Sequence, residues 1–196
     1  MKKALFLPAI FILFSSFISG QQIINRDPDI AEMVEQVSRD NIEAYINKLV
    51  SFHTRNNFST QADPEKGIGA SWNWVKSEME KSIAGSGGRL SVEYVPYTVG
   101  GEGQRISKEM ELRNVVATLK GNDPEDDRIL VISAHLDSRA SAGNDGEVFA
   151  PGANDDGSGI AAIIELVRIM SKHQFSATIK FMAVTGEEHG LYGSKL

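Results

Sequence analysis

Residues 128–184 contain three stretches whose order decides the fold: "RILVISA" at 128–134, "GIAAIIELVRIMSKH" at 159–173 and "TIKFMAV" at 178–184. The first and last are apolar at consecutive positions, as strands buried on both faces are, and read as the core strands. The middle stretch is helical, with Ile160, Ile163, Ile164 and Val167 on one face and Glu165, Arg168 and Lys172 turned away. Strand, long loop, helix and strand make a βαβ crossover, which sets the two strands parallel in one sheet. The expected fold is therefore α/β: a mixed, largely parallel central sheet flanked by helices.

Upstream, "LSVEYVPYTV" (90–99) and "LRNVVATLKG" (112–121) have the Val- and Tyr-rich character of further strands. In residues 28–52 the apolar positions Ile30, Val34, Val37, Ile42, Tyr45, Ile46 and Leu49 recur at helical spacing, which predicts one or two amphipathic helices capped by Asp27 or Asp29. "HTRNNFSTQADPEKG" (53–67) reads as a polar loop. "GASWNWVKSEMEKSI" (69–83) resumes the helical period through Trp72, Val75, Met79 and Ile83, and Gly85, Gly87 and Gly88 end it.

The first twenty residues, "MKKALFLPAIFILFSSFISG", place two lysines before an apolar run and finish in small and polar residues, the layout of a secretory signal peptide cleaved near Gly20. The run is short for a membrane span of about 20 residues and is broken by Pro8, so no stable membrane association is expected after cleavage and the product is secreted or periplasmic. Without Lys2 and Lys3, 18 basic residues face 26 acidic ones with no Lys/Arg block, which excludes a nucleic-acid partner. The absence of cysteine excludes disulfides, thiolate catalysis and Cys-type zinc sites, so any metal must be held by His, Asp and Glu.

The stretch "SAHLDSRASAGNDGEVFAPGANDDGSG" (133–159) crowds one histidine and five carboxylates together. Binding crevices in open α/β sheets lie beyond the carboxyl ends of the strands. His135 and Asp137 follow the first core strand, Glu187 and Glu188 follow the second, and Asp155 and Asp156 sit in the turn that opens the crossover helix. Three segments thus converge on one edge, and carboxylates gathered without basic partners call for a divalent cation. In "HLD" the alternation of an extended segment lets Asp137 bond the ring nitrogen of His135 that faces away from a metal. In "GEEHG" the adjacent acids point differently, so one can bind metal while the other faces the substrate and moves protons, which divides the labour between Glu188 and Glu187. Each piece alone has a plainer reading, as a strand-end loop, a helix cap or acids favoured by a helix dipole. His53 and His173 fall near helix ends, and His189 reads as a neighbour of the site. Ser158 lacks the Gly-x-Ser-x-Gly elbow of a serine hydrolase, and "GSGG" at 85–88 lacks the context of a phosphate loop.

Through "ISAHLDS", "PGANDDGSGIAAIIEL" and "FMAVTGEEHGLYGS" the sequence resembles the family 28 zinc metallopeptidases, the co-catalytic aminopeptidases and their carboxypeptidase relatives. The resemblance implies that His135 binds one zinc, Asp155 bridges two, Glu188 binds the other and Glu187 is the general base, with Asp137 orienting His135. It implies a shared water activated between zincs roughly 3.5 to 4 Å apart, and a peptide as substrate. The family's two remaining ligands, an Asp and a His, fall downstream of Leu196, so residues 21–196 read as an incomplete zinc peptidase domain, truncated at its carboxyl end. The expected function is an exported zinc-dependent exopeptidase, an aminopeptidase. A glutamate-type carboxypeptidase, a glutaminyl cyclase of the same fold and a catalytically inactive scaffold stay open beside it, as does oligomeric state.

Overall fold

A computed structural model describes residues 26–141 and 143–195. The expected signal peptide lies outside the described residues, and among these no helix is long and apolar enough to cross a membrane.

The amino-terminal helical pattern divides into α1 (Pro28–Glu35) and α2 (Arg39–Ser51). Asp27 caps α1 by accepting from the amides of Asp29 and Ile30 at 2.9 and 3.3 Å, with Pro28 at the first helical position, and Ser38 caps α2 through the Asn41 amide at 3.2 Å. The next helix, α3 (Gly67–Glu80), buries Trp72, Val75 and Met79. It stops short of Ile83, which is exposed, and Gly87 at φ 63° turns the chain towards the sheet.

Four strands follow: β1 (Leu90–Val99), β2 (Met110–Leu119), β3 (Ile129–His135) and, after the crossover helix α4 (Ser158–Met170), β4 (Thr178–Val184). The sheet order is β1-β2-β4-β3. The expected β3–β4 pairing is parallel, while β1–β2 and β2–β4 are antiparallel, so the sheet is mixed. α3 packs on β1 and β2, α4 packs on β3 and β4, and α2 crosses α4 from outside. Ile160, Ile163, Ile164 and Val167 of α4 are fully buried with Ile179, Phe181 and Ala183 of β4 and Val115 and Ala117 of β2, each large side chain contributing about 1.5–3 kcal/mol.

Three expectations change. β4 is central, but β3 is the edge strand among the described residues, with Ile129, Leu130 and Val131 56, 52 and 57 % exposed, because β2 takes the other side of β4. Glu165 does not face solvent. It is buried under α2, accepting from the Ser38 amide at 2.7 Å and from Arg168 at 2.6 and 2.8 Å, since a helix covered on two sides has no free polar face there. The segment 53–67 is a loop, yet Thr54, Arg55, Asn56, Asn57 and Ser59 are buried within it, because it runs beneath the end of β3 rather than over the surface.

Candidate metal centre

The parallel register pairs His135 with Val184, so β3 and β4 end level with each other. Thr185 fixes the chain as it leaves β4. Its amide donates to Asn114 Oδ1 at 3.0 Å, its carbonyl accepts from Tyr97 Oη at 2.6 Å, and its hydroxyl accepts from Trp72 Nε1 at 3.0 Å and donates to the Arg113 carbonyl at 2.7 Å. The residues that follow, Gly186, Glu187 and Glu188, therefore start from a rigid point.

Asp137 is fully buried and acts as an anionic core for this turn. One of its oxygens accepts from the amides of Gly186 and Glu187 at 2.9 and 3.2 Å, and the other accepts from the Glu188 amide at 3.1 Å and Asn57 Nδ2 at 2.9 Å. Burial pushes its carboxyl upward, and His135 together with these donors acts against that push. Here the structure differs from the expected contact. Nδ1 of His135 bonds the main-chain carbonyl of Asp137 at 3.0 Å, and the carboxylate oxygen stands 3.8 Å away, drawn off by the three amides. The ring is oriented by the expected residue through a different atom.

The two adjacent aspartates divide their work. Asp156 accepts from the Gly159 amide at 3.0 Å, capping α4, and from the His135 amide at 3.1 Å, tying the helix start to the end of β3. Asp155, largely exposed, places Oδ1 2.9 Å from Nε2 of His135, and Glu187 Oε2 lies 3.9 Å from the same nitrogen. His135, Asp155 and Glu187 are thus brought together. Glu188 lies within electrostatic reach, its carboxyl pushed up first by burial and then by Asp137, Asp155 and Glu187.

This donor set fits a cation. A carbonyl on Nδ1 requires that nitrogen to carry the hydrogen, which leaves a lone pair on Nε2 of neutral His135, aimed at a carboxylate oxygen. Two bases at that distance need a proton or a metal ion between them. For the proton, burial opposes the imidazolium most, yet Asp137 and its carbonyl, Asp156 and Glu187 outweigh it and raise His135 overall. For a metal, imidazole with carboxylates is the zinc donor set available without cysteine. Among the described residues no three His, Asp or Glu side chains stand close enough together to hold a metal ion as they are placed, and the approach is that of His135 and Asp155 with Glu187 beside them.

Arg55 and Asn57 were missed by sequence reasoning. Arg55 is fully buried and donates to the carbonyls of Leu136, Leu49, Pro151 and Gly152 at 2.7, 3.2, 2.7 and 2.9 Å, joining α2 and the end of β3 to the segment that leads to Asp155. Asn57 reaches both Asp137 and His189. The one available signal was an arginine beside two asparagines directly after an amphipathic helix, which carries no periodicity. His189 is buried beside the site with the Phe58 ring against it, its pKa lowered by burial and then by Arg139. Arg139 and Arg105 both donate to the Glu188 carbonyl, at 3.0 and 3.2 Å.

Comparison with known proteins converges on these same segments. The model of Peptidase family M28 matches residues 114–196. A probable zinc metalloprotease of Pyricularia oryzae is 48 % identical over 168 residues, which cover 86 % of this chain and 33 % of that protein. Among solved structures, the Legionella pneumophila LapA aminopeptidase is 25 % identical with a TM-score of 0.64, over 88 % of this chain and 41 % of its own. A Tannerella forsythia glutaminyl cyclase shares the fold at 22 % identity and a TM-score of 0.59, over 79 % of this chain and 48 % of its own. The chain spans 33–39 % of the length of the curated relatives it matches.

Proposed function

The chain belongs to the M28 peptidase family, and from that premise we propose that it serves a zinc-dependent exopeptidase, an aminopeptidase acting on peptides, with Glu187 as general base. The observation that carries the proposal is the approach of His135 Nε2 to Asp155 Oδ1 at 2.9 Å with Glu187 at the same opening. His135, Asp155 and Glu188 would hold zinc, two ions in the complete site. Bound there, zinc supplies Lewis-acid polarisation of the scissile carbonyl and a lowered pKa for water.

The chain's own residues do the rest. Glu187 is about one-third exposed, so its carboxylate can take a proton from an attacking water and return it to the departing amine. Asp137 holds the amides of residues 186–188, which fixes the backbone from which Glu187 and Glu188 project. Asp156 and Arg55 hold the two segments that carry His135 and Asp155. Export through residues 1–20 with cleavage near Gly20 belongs to the same proposal, and amino-terminal sequencing of protein recovered outside the cell checks it.

The test compares the full-length protein with its Glu187→Gln variant, measuring bound zinc and release of leucine from leucine amide. The expected result is about two zincs in both proteins, with kcat in the variant down by about 10²–10⁴. Activity retained in Glu187→Gln removes that residue as base. Cyclisation of an amino-terminal glutamine without leucine release replaces the peptidase reading by the cyclase.

A further inference from the structure

We infer that Asn57 is a positioning residue of the metal centre, acting through Asp137 and His189 to hold residues 186–188 in place. The inference rests on the reading of His135, Asp155 and Glu188 as zinc ligands. Asn57 is 1 % exposed and lies on a loop far from the recognisable motifs, yet its single amide nitrogen lies 2.9 Å from Asp137 Oδ2 and 2.8 Å from His189 Nδ1. An amide nitrogen carries two hydrogens and accepts nothing, so it donates one to each partner. Asp137 in turn receives the amides of Gly186, Glu187 and Glu188, and His189 is the next residue. One side chain thus grips both ends of the short turn that carries the proposed base and the proposed ligand.

The orientation of this amide is informative. Among the described residues Asn57 Oδ1 is buried without a hydrogen-bond partner. Unpaired buried polar atoms are rare and each carries a desolvation penalty. An asparagine present only to knit its loop would satisfy its oxygen, as its neighbour does: Asn56 accepts from the Phe58 amide at 2.9 Å and donates to the Gly143 carbonyl at 2.8 Å. Asn57 instead spends both donors on the site, and its oxygen has no partner among the described residues. A neutral double donor is also the group that holds Asp137 while leaving its charge in place, which a lysine or arginine would neutralise.

The test uses the full-length protein with Asn57→Leu, which keeps shape and loses both donors. Asn57→Ala is a second variant that leaves the space open, and Asn56→Ala is a control from the same buried loop. Zinc affinity is measured by competition with a chelator, and kcat and KM on leucine amide. Supporting residues of metal sites typically change affinity or activity by about 10- to 100-fold. The expected result is zinc binding weakened by about that factor in both Asn57 variants, with any loss of turnover in kcat at nearly constant KM, and native zinc affinity in folded Asn56→Ala. Zinc affinity within twofold of wild type in the Asn57 variants, or an equal loss in Asn56→Ala, overturns the inference. A wild type that binds zinc but releases no leucine removes the peptidase reading alone, since the zinc titration still decides the role of Asn57. A wild type that binds no zinc overturns both.

Discussion

Replacing Arg55 with leucine should be among the most damaging single changes outside the metal centre. The guanidinium donates four bonds to main-chain carbonyls of three separate segments, and none to a carboxylate. Burial lowers its pKa to about 10, opposed by Asp137 and Asp156, so it stays charged at neutral pH. Leucine fills part of the volume but leaves the carbonyls of Leu49, Leu136 and Pro151 short of a partner; Gly152 keeps the amide of Gly157 at 3.0 Å. At about 1–3 kcal/mol for each buried group left unpaired, offset by the relief of not burying a charge, the net loss is about 3–4 kcal/mol. Removing the cation also leaves Asp137 and Asp156 closer to unopposed. Urea unfolding of the full-length protein should therefore show a lower midpoint at unchanged slope, and zinc affinity should fall because the segment leading to Asp155 loses its anchor. A change below about 1 kcal/mol would refute the reasoning, since it would mean that the three carbonyls find other partners without the guanidinium.

Glu165→Gln should cost about 1–3 kcal/mol at pH 7 by weakening the bonds to Arg168 and Ser38. Burial raises the Glu165 carboxyl most, but Arg168, the Ser38 amide and Asn41 together hold it below its ordinary value. Its contribution is therefore present above that value and lost as pH falls through the lower native one, so wild type and variant should converge in thermal melts at acid pH. Gly152→Ala should destabilise by about 1–3 kcal/mol, because φ is 48° and a Cβ would meet Ser138 Cβ at 2.6 Å and the Asp155 carbonyl at 2.7 Å; a melting temperature equal to wild type contradicts that packing. Zinc removal should act in a pH-dependent way. Without metal, His135, Asp137 and Glu188 all bind protons more tightly folded than unfolded, so their contributions favour the fold at low pH and fade as pH rises through the raised values. Zinc needs the deprotonated groups, so the gap between melts with zinc and with chelator should widen from about pH 5 to pH 8. A constant gap would place the metal elsewhere.

The crossover at the heart of the fold was legible because it is written locally: two apolar runs and an amphipathic helix predict their own partners. Strand order was not, since the place of β3 at the edge depends on β2 pairing with β4, a choice made between segments about sixty residues apart. Glu165 was misjudged for a related reason. A helical wheel assumes one covered face, and α4 is covered by the sheet on one side and by α2 on the other. The three acid-bearing segments were placed correctly at one sheet edge because each begins where a core strand or the crossover helix begins or ends. What escaped was the apparatus that holds them. Arg55 and Asn57 find their partners 80 or more positions along the chain, apart from Leu49, and many of those partners are main-chain carbonyls, which carry no sequence signature.

Asp137 shows how both kinds of information meet in one residue. The two-residue alternation of an extended segment predicts a bond from the Asp137 carboxylate to the His135 ring, which stays open at 3.8 Å, because an isolated dipeptide cannot reveal that three amides of another segment compete for the same carboxylate. They win because a buried anion is stabilised most by several fixed donors at once, and the ring nitrogen then takes the nearest remaining acceptor, the carbonyl of the same residue. The consequence is mechanical. Asp137→Asn would keep the carbonyl that orients His135 but would offer one acceptor oxygen to donors that now use two. It should disturb Glu187 and Glu188 more than the histidine. The expected signature is loss of both, zinc affinity through Glu188 and kcat of the zinc-loaded protein through Glu187, and zinc affinity lost with that kcat unchanged would return the carboxylate to a role on the His135 ring.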